Sequence, residues 1–275
     1  MRIAAQGYWV VRFDNRDVGR STKFDDAGAP SKLRMAAAGL LGMSISAPYL
    51  LKDMAADAVG LMDVLGIKRA HVAGVSMGGM IAQEMAMRYP ERMRSLISIM
   101  SSTGSRSVPQ PKPSVSLLLL KRSPTNEDEY VDYFTNLITV LSGPVYAPDI
   151  ERLHTKARRI YRRSYYPVGR TRQLAGILAS GDRTQRLQKV TVPTLVVHGS
   201  EDPLVLPAAG RVTAQAIPNA RLIVVRRDPR DLGLSIYRNM FAPGTHGYAY
   251  DQADIAAYVA SFERMIGFWR QTIPG

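Results

Sequence analysis

The sequence predicts an α/β protein with a mostly parallel sheet, helices on both faces, a helical insertion and an atypical helical tail. Three observations carry this prediction. Short apolar runs bounded by turn residues are typical of buried strands, and a helical pattern follows them along the chain. A long helical stretch then interrupts the alternation of strand and helix, and the alternation resumes after it. The length of 275 residues and the 46% apolar content suit one substantial core with an insertion rather than two full-sized domains.

The first part of the predicted core spans residues 1–100. It begins with a β-rich run, GYWVVRF, which ends in the polar, turn-like cluster DNRDVGRST, and a loop is expected from there to about Pro48. Apolar residues then recur at helical spacing, with the aspartates off the apolar stripe. The predicted elements are a helix from Tyr49 to Leu65, a strand from Ala70 to Val75 buried on both faces, a helix from Met77 to Tyr89 and a strand from Ser95 to Met100.

The second part of the predicted core spans residues 190–226. Between the two parts, residues 101–189 are first Pro-rich and then helical by composition, which indicates a cap or lid over the sheet. The remaining residues, 227–275, form the predicted helical tail. The elements expected after the cap are strands from Thr194 to His198 and Ala220 to Val225, with helices near 208–216, 230–241 and 252–269.

Composition excludes several classes of protein. Cysteine is absent, which excludes a disulfide framework, thiol catalysis and cysteine-based metal sites. No apolar run reaches the roughly 18 residues of a bilayer span. The N-terminal residues MRIAAQG contain no apolar core of a secretory signal. We therefore expect a cytoplasmic protein without a membrane partner.

The net charge of +13 is concentrated in one segment. Residues 152–189 contain eleven lysines and arginines and a single acid, Asp182. Such a segment is either a solvated basic face of the cap or a surface that attracts an anionic substrate or polymer. Neither zinc-finger spacing nor an aromatic RNA-binding strand accompanies it, so we expect no nucleic-acid partner.

The pentapeptide Gly74-Val75-Ser76-Met77-Gly78 matches the pattern G-x-S-x-G. It lies directly between a predicted strand and a predicted helix, as a nucleophile elbow requires. This context makes Ser76 the candidate nucleophile, because a sharp strand-to-helix turn exposes its hydroxyl. The Met77 N–H, at the positive end of the helix, is the candidate donor to an oxyanion. The alternative is a Gly-rich turn with an incidental serine.

Three segments together resemble the α/β-hydrolase superfamily, in particular esterases of the aclacinomycin methylesterase type. They are FDNRDVGRST, HVAGVSMGGMIAQEMAMRYPERMRSLISIMSS and VPTLVVHGSEDPLV, and the resemblance covers roughly residues 7–225. It implies a truncated α/β-hydrolase fold. It also implies a serine hydrolase that cleaves small carboxylic esters with short acyl chains, through an acyl-enzyme intermediate on Ser76 and without a cofactor or metal.

A serine nucleophile needs a base, and the base needs a carboxylate that orients it. Resemblance to the family makes Asp202, in the loop after TLVVH, the candidate acid, with the neighbouring Glu201 as the fallback. A simple turn carboxylate before Pro203 is the alternative interpretation of Asp202.

The chain contains four histidines. His71 lies in a predicted strand and is expected in the core, His154 belongs to the predicted cap, and His198 matches a structural histidine common in the family. Because this fold orders its triad as Ser, acid and His, His246 in the loop GTHG is the candidate base by elimination. An ordinary loop histidine is the competing interpretation.

The family pattern is broken at the N-terminal end. Only six residues precede GYWVVRF, so the strand and loop that normally supply a second oxyanion N–H are expected to be missing. Loss of one such donor costs about 10²–10³ in kcat, which predicts a weak esterase or a substitute donor. The open sheet edge favours a homodimer.

The pattern is also broken at the C-terminal end. Residues 218–275 resemble the C-terminal part of sulfotransferases, in which Arg227 and Ser235 would match the residues that hold a 3′-phosphate. The Gly-rich phosphate loop of those enzymes is absent from this sequence. The alternatives to an esterase are therefore a catalytically degenerate α/β-hydrolase scaffold and a sulfotransferase-like nucleotide binder.

Overall fold

The computed structural model of the chain describes residues 3–41, 43–142 and 148–225. The chain divides into two compact units, and these residues belong, except for Val225, to the one made of Met1–Gly143 and Pro148–Val224. The other unit consists of Pro144–Ala147 and Val225–Gly275. The predicted tail helices and His246 therefore lie outside the described residues. Among the described helices, none is long and apolar enough to cross a lipid bilayer.

A four-stranded sheet forms the centre of the described part of the chain. Its strands lie in chain order, β1-β2-β3-β4, and the β1–β2 and β2–β3 pairs are parallel. Val75 of β1 is in register with Ile99 of β2, which is in register with Val197 of β3, so the carboxyl ends of these strands are level. The strands are β1 Ala70–Val75, β2 Met93–Ile99, β3 Thr194–Gly199 and β4 Arg221–Val225.

The helices follow the apolar periodicity of the sequence, and the predicted bounds before and after the insertion are reproduced to within two residues. One helix was not predicted: Lys32–Leu41 is helical where a loop was expected. Its run of Ala, Leu and Met consists of strong helix formers, and that propensity outweighs Gly39. The described helices are α1 Lys32–Leu41, α2 Leu51–Val64, α3 Met77–Arg88, α4 Pro113–Leu120, α5 Glu127–Leu141, α6 Ile150–Ser164, α7 Pro167–Ala179, α8 Thr184–Leu187 and α9 Pro207–Ala216.

The hydrophobic core lies between the sheet and helices α2 and α3. In α2 the buried residues Leu51, Met54, Ala58 and Met62 recur every three or four positions and form one face. That face contacts buried residues of α3, such as Met85, and the core extends to the sheet. This packing places the N-terminal end of α3 at the carboxyl edge of the sheet.

Strand β1 is more exposed than predicted. We expected it to be buried on both faces, yet Gly74 is the one buried residue among its six, and Val75 is 50% exposed. The physical reason is its position, since β2 is the one strand that pairs with it among the described residues. The prediction of a core His71 was also wrong. Its side chain is exposed, and its Nδ1 lies 2.6 Å from Ser95 Oγ.

The β-rich run GYWVVRF forms no strand in the described structure. Its aromatic residues are exposed, Trp9 by 72% and Tyr8 by 60%. An extended segment is assigned to a sheet only when a neighbouring strand completes its hydrogen bonds, and no described residues provide one here. The high β-propensity of GYWVVRF alone is therefore insufficient to make it a strand of the sheet.

The insertion between β2 and β3 is helical, as predicted, and contains α4 to α8. Part of its basic segment is ion-paired. Arg158 and Arg162 of α6 form ion pairs with Glu127 at the start of α5, and Arg158 also pairs with Asp128. The acidic first turn of α5 thus neutralises part of the basic face.

Candidate active site

Ser76 occupies a strained turn between β1 and α3. Its φ of 53° and ψ of −118° lie in a region that residues with a side chain rarely adopt. Its N–H donates to the Ile99 carbonyl at 2.8 Å, and its own carbonyl accepts from the Gly79 N–H at 2.9 Å. The backbone on both sides of the serine is therefore fixed, which is the geometry that the G-x-S-x-G pattern predicted.

The glycines of this turn have different roles. A Cβ on Gly74 would lie 2.0 Å from the Gly78 carbonyl oxygen, so only glycine allows the strand to approach the helix this closely. A Cβ on Gly78 would have no atom within 4 Å. Gly79, which lies outside the pentapeptide, packs against Ser101, whose Cβ would be 2.7 Å from a Gly79 Cβ.

Met77 is the first residue of α3. N–H groups in the first turn of a helix have no acceptor within the helix, and they carry the positive end of its dipole. The Met77 N–H follows the Ser76 side chain immediately in the chain. It is therefore one of the N–H groups at the start of α3 that have no acceptor within that helix.

Asp202 lies in the loop that leaves β3. Its Oδ1 accepts hydrogen bonds from the backbone N–H groups of Leu204 at 3.0 Å and Val205 at 2.9 Å. These bonds hold the carboxylate in one orientation, whereas the neighbouring Glu201 is exposed. Of the two candidate acids, Asp202 is the one that the local structure positions.

His198 is buried beside this acid loop. Its Nε2 lies 2.6 Å from the Val205 carbonyl oxygen and 3.6 Å from Asp202 Oδ2. Since a carbonyl oxygen can only accept, Nε2 carries a hydrogen and donates it to Val205. The ring also lies against Gly210, where a Cβ would be 2.5 Å from its Nδ1. His198 thus shapes the turn that carries Asp202.

The sheet brings the Ser76 turn and the Asp202 loop to the same edge. Val75, Ile99 and Val197 are level across β1, β2 and β3, and both segments leave the sheet just beyond these residues. Two strand spacings separate β1 from β3, which amounts to about 10 Å. His246 lies outside the described residues, and His154 is on α6, within the insertion.

One buried cluster, which we call the loop–helix clamp, was missed in the sequence. It consists of Asp17, Tyr49 and Arg172. Arg172 Nη1 donates to Asp17 Oδ1 at 2.9 Å, the Tyr49 hydroxyl donates to Oδ2 at 2.7 Å, and the two charged side chains are 2% and 0% exposed. Burial and the Asp17 carboxylate raise the pKa of Tyr49 well above its usual range. The clamp joins the DNRDVGRST loop to α7 of the insertion.

A parallel sheet whose strand-to-helix turn presents a serine, with a carboxylate on a neighbouring loop, defines the class of α/β hydrolases. Residues 2–228 match the alpha/beta hydrolase fold family, and the chain belongs to that family.

Individual relatives can be named. The chain is 27% identical over 270 residues to rhodomycin D methylesterase DnrP of Streptomyces peucetius, with 88% of this chain and 81% of that protein covered. It is 33% identical over 196 residues to a 2-hydroxy-6-oxononadienedioate/2-hydroxy-6-oxononatrienedioate hydrolase of a Pseudomonas species, covering 66% of this chain and 65% of that protein. A solved serine hydrolase from Cycloclasticus zankles has a TM-score of 0.56 at 18% identity, covering 78% of this chain and 69% of that one, and supports the fold.

Proposed function

We propose that this chain is a serine esterase that hydrolyses small carboxylic esters, with Ser76 as nucleophile, Asp202 as acid, His246 as base and the Met77 N–H as oxyanion donor. The observation that carries the proposal is the strained backbone of Ser76 at the strand-to-helix turn. A non-glycine residue persists in such a conformation when the surrounding structure holds it there, and such residues cluster at active sites.

Two further observations support an ester as the substrate. The family match covers the whole proposed core, residues 2–228. The 27% identical relative from Streptomyces peucetius is named as a methylesterase. We extend ester cleavage to this chain, with a preference for short acyl chains and with no cofactor taking part.

The proposed reaction has two steps. In the first, the Ser76 hydroxyl gives its proton to His246, and its Oγ bonds to the ester carbonyl carbon. The carbonyl oxygen becomes negative and accepts from the Met77 N–H, and collapse releases the alcohol, which takes the proton from His246. In the second step, water gives a proton to His246 and attacks the acyl carbon, and the carboxylic acid leaves as Ser76 regains its proton.

Asp202 orients the base in this scheme. Its Oδ1 is held by two backbone N–H groups. Oδ2 is then the oxygen that accepts the imidazole N–H, and its negative charge stabilises the imidazolium that forms in each step.

Hydrolysis of nitrophenyl acetate and nitrophenyl butyrate tests the proposal, with nitrophenyl palmitate as the long-chain comparison. We expect turnover of the short esters by the native chain and loss of at least 10³-fold in kcat for Ser76→Ala. Ser95→Ala is the matched control, because the Ser95 hydroxyl lies 2.6 Å from the Nδ1 of a histidine, His71, but has no place in the proposed mechanism. Equal activity of the native chain and Ser76→Ala would contradict a serine mechanism.

A separate measurement tests the base. His246→Ala should reduce kcat as severely as Ser76→Ala, because the residues of a catalytic triad act as a unit. Retention of full activity would show that another group is the base. Absence of turnover in the native chain, together with failure of a fluorophosphonate to label Ser76, would favour a degenerate scaffold. Stabilisation by adenosine 3′,5′-bisphosphate would instead favour the nucleotide binder.

A further inference from the structure

A layer of polar side chains lies behind the Ser76 turn, within the core. We call it the elbow support, and it consists of Gln83, Ser98, Ser101, Thr103 and Arg183. Each of these residues is at most 1% exposed. Burial of polar groups costs free energy unless hydrogen bonds replace the lost water, so such a layer is retained where its bonds have a use.

Ser101 connects this layer directly to the nucleophile's backbone. Its hydroxyl donates to the Ser76 carbonyl at 2.9 Å. The same carbonyl accepts from the N–H groups of Gly79 at 2.9 Å and Met80 at 3.2 Å, which belong to α3 itself. Ser101 therefore supplies the bond from outside the helix. It also packs tightly against Gly79, so the first turn of α3 cannot move toward it.

Arg183 holds the segment that contains Ser101. Its Nη2 donates to the Ser102 carbonyl at 2.9 Å, and its backbone N–H donates to the Thr103 carbonyl at 2.8 Å. Its Nε donates to Gln83 Oε1 at 3.3 Å, and Gln83 lies on α3, seven positions after Ser76. One guanidinium thus joins the turn after β2 to the helix that carries the nucleophile.

The guanidinium of Arg183 is charged in this buried position. Burial lowers its pKa to about 10, which leaves it protonated at neutral pH. Its side chain donates hydrogen bonds to neutral oxygens of Ser102, Gly181 and Gln83. Charged donors form stronger bonds to carbonyl oxygens than neutral donors do, so the segment at 102–103 is held firmly.

We propose that Ser101 and Arg183 are positioning residues for the nucleophile, an inference that rests on the proposed serine esterase function. Ser101 holds the Ser76 carbonyl, and Arg183 holds Ser101. Together they keep Ser76 in its strained backbone conformation with positive φ, on which the position of the hydroxyl depends. Without them the turn relaxes toward an ordinary helix start, and the hydroxyl leaves the line of attack.

The test compares Ser101→Ala with Thr213→Val, a matched control on α9. Thr213 is also fully buried, and its hydroxyl donates to the Ala209 carbonyl at 2.8 Å. Each variant loses one buried hydroxyl-to-carbonyl bond, but only Ser101 contacts the nucleophile's backbone. We expect Ser101→Ala to lower kcat about 10- to 100-fold with KM within about twofold, because misplacement by about 1 Å can cost 10²-fold. Thr213→Val should keep the native kcat.

Arg183→Lys is the second variant, in case Ser101→Ala does not fold. Lysine keeps the charge but loses the planar fork, so we expect kcat to fall about tenfold at unchanged KM. The rate at which a fluorophosphonate labels Ser76 should fall in parallel in both variants. Native kcat in folded Ser101→Ala and Arg183→Lys would overturn the inference, as would a rise in KM alone. If native Ser76 is not labelled and the chain has no turnover, the serine esterase proposal fails and this inference fails with it.

Discussion

Replacing Gly74 by alanine tests how closely strand β1 must approach helix α3. The new Cβ would lie 2.0 Å from the Gly78 carbonyl oxygen and 2.5 Å from the Gly79 nitrogen. Both are backbone atoms of the first turn of α3, so the steric clash is relieved only if the helix and Ser76 move. Gly78→Ala is the matched control in the same motif, because its Cβ would meet no atom within 4 Å.

The magnitudes follow from these distances. Overpacking a core position costs about 1–3 kcal/mol, and a contact with backbone belongs at the upper end of that range because no side chain can rotate away. Alanine is more favourable than glycine in a helix by up to about 1 kcal/mol, so Gly78→Ala should be neutral or stabilising. We therefore expect the free energies of unfolding of the two variants to differ by about 3–4 kcal/mol.

Urea unfolding followed by circular dichroism measures this difference. With an m value of about 3 kcal/mol per molar urea, the two midpoints should differ by about 1 M. The kcat for nitrophenyl acetate should fall in Gly74→Ala and remain native in Gly78→Ala, since only the former displaces Ser76. Unfolding free energies within about 0.5 kcal/mol of each other would refute the steric reasoning.

Three further predictions concern the loop contacts and the sheet edge. Arg172→Met should lower the free energy of unfolding, measured in urea, by about 3–5 kcal/mol, because the buried Asp17 carboxylate loses its charged partner. A decrease below about 1 kcal/mol would contradict a stabilising role of the loop–helix clamp. Hydrogen bonds from Arg163 lower the pKa of Asp14 below its usual 3.8, so Asp14→Asn should cost under about 1 kcal/mol at pH 7, where the carboxylate is charged. The difference in unfolding free energy between the native chain and Asp14→Asn should disappear as the pH falls through the folded-state pKa of Asp14. A difference that does not change with pH would count against the ion pair. On size exclusion the chain should elute at twice its 30.3 kDa mass, through pairing at the β1 edge, and a strict monomer would rule this out.

Most of the core elements could be predicted because their signals are local. The apolar run TLVVH predicts β3, and the helical spacing after Ser76 predicts α3. The elbow could also be predicted, since G-x-S-x-G between a strand and a helix describes one short, continuous segment. The described backbone of Ser76 agrees with that expectation.

The exposure of β1 and of GYWVVRF could not be predicted from their own residues. Both segments have the composition of buried strands, and burial depends on whether another strand lies beside them. His71 was placed in the core for the same reason. Its surroundings are a property of the sheet order, which a single strand does not encode.

The buried polar contacts were missed because they join distant parts of the chain. Arg172 and Asp17 are 155 positions apart, and Arg183 and Ser102 are 81 positions apart. In the sequence Arg172 and Arg183 belong to a basic segment whose two interpretations, a solvated face and a surface that attracts anions, both place it on the outside of the fold. Only the fold shows that these two guanidinium groups are interior.

The register of β2 and β3 has a consequence for how this chain could diversify. The polypeptide leaves the sheet at Ile99 and returns at Thr194, and these two strands are immediate neighbours, with Leu96 opposite Thr194. Because Ile99 lies opposite Val197, Ile99 and Thr194 are offset by three residues along the strands as well as by one strand spacing, so the intervening helices start and finish about 11 Å apart. Lengthening, shortening or exchanging α4 to α6 would add little loop-closure entropy and would leave the ladder aligned. Such an arrangement lets α4 to α6 vary in evolution while Arg172 and Arg183, in the later part of the insertion, keep their contacts with Asp17 and with the segment that holds Ser76.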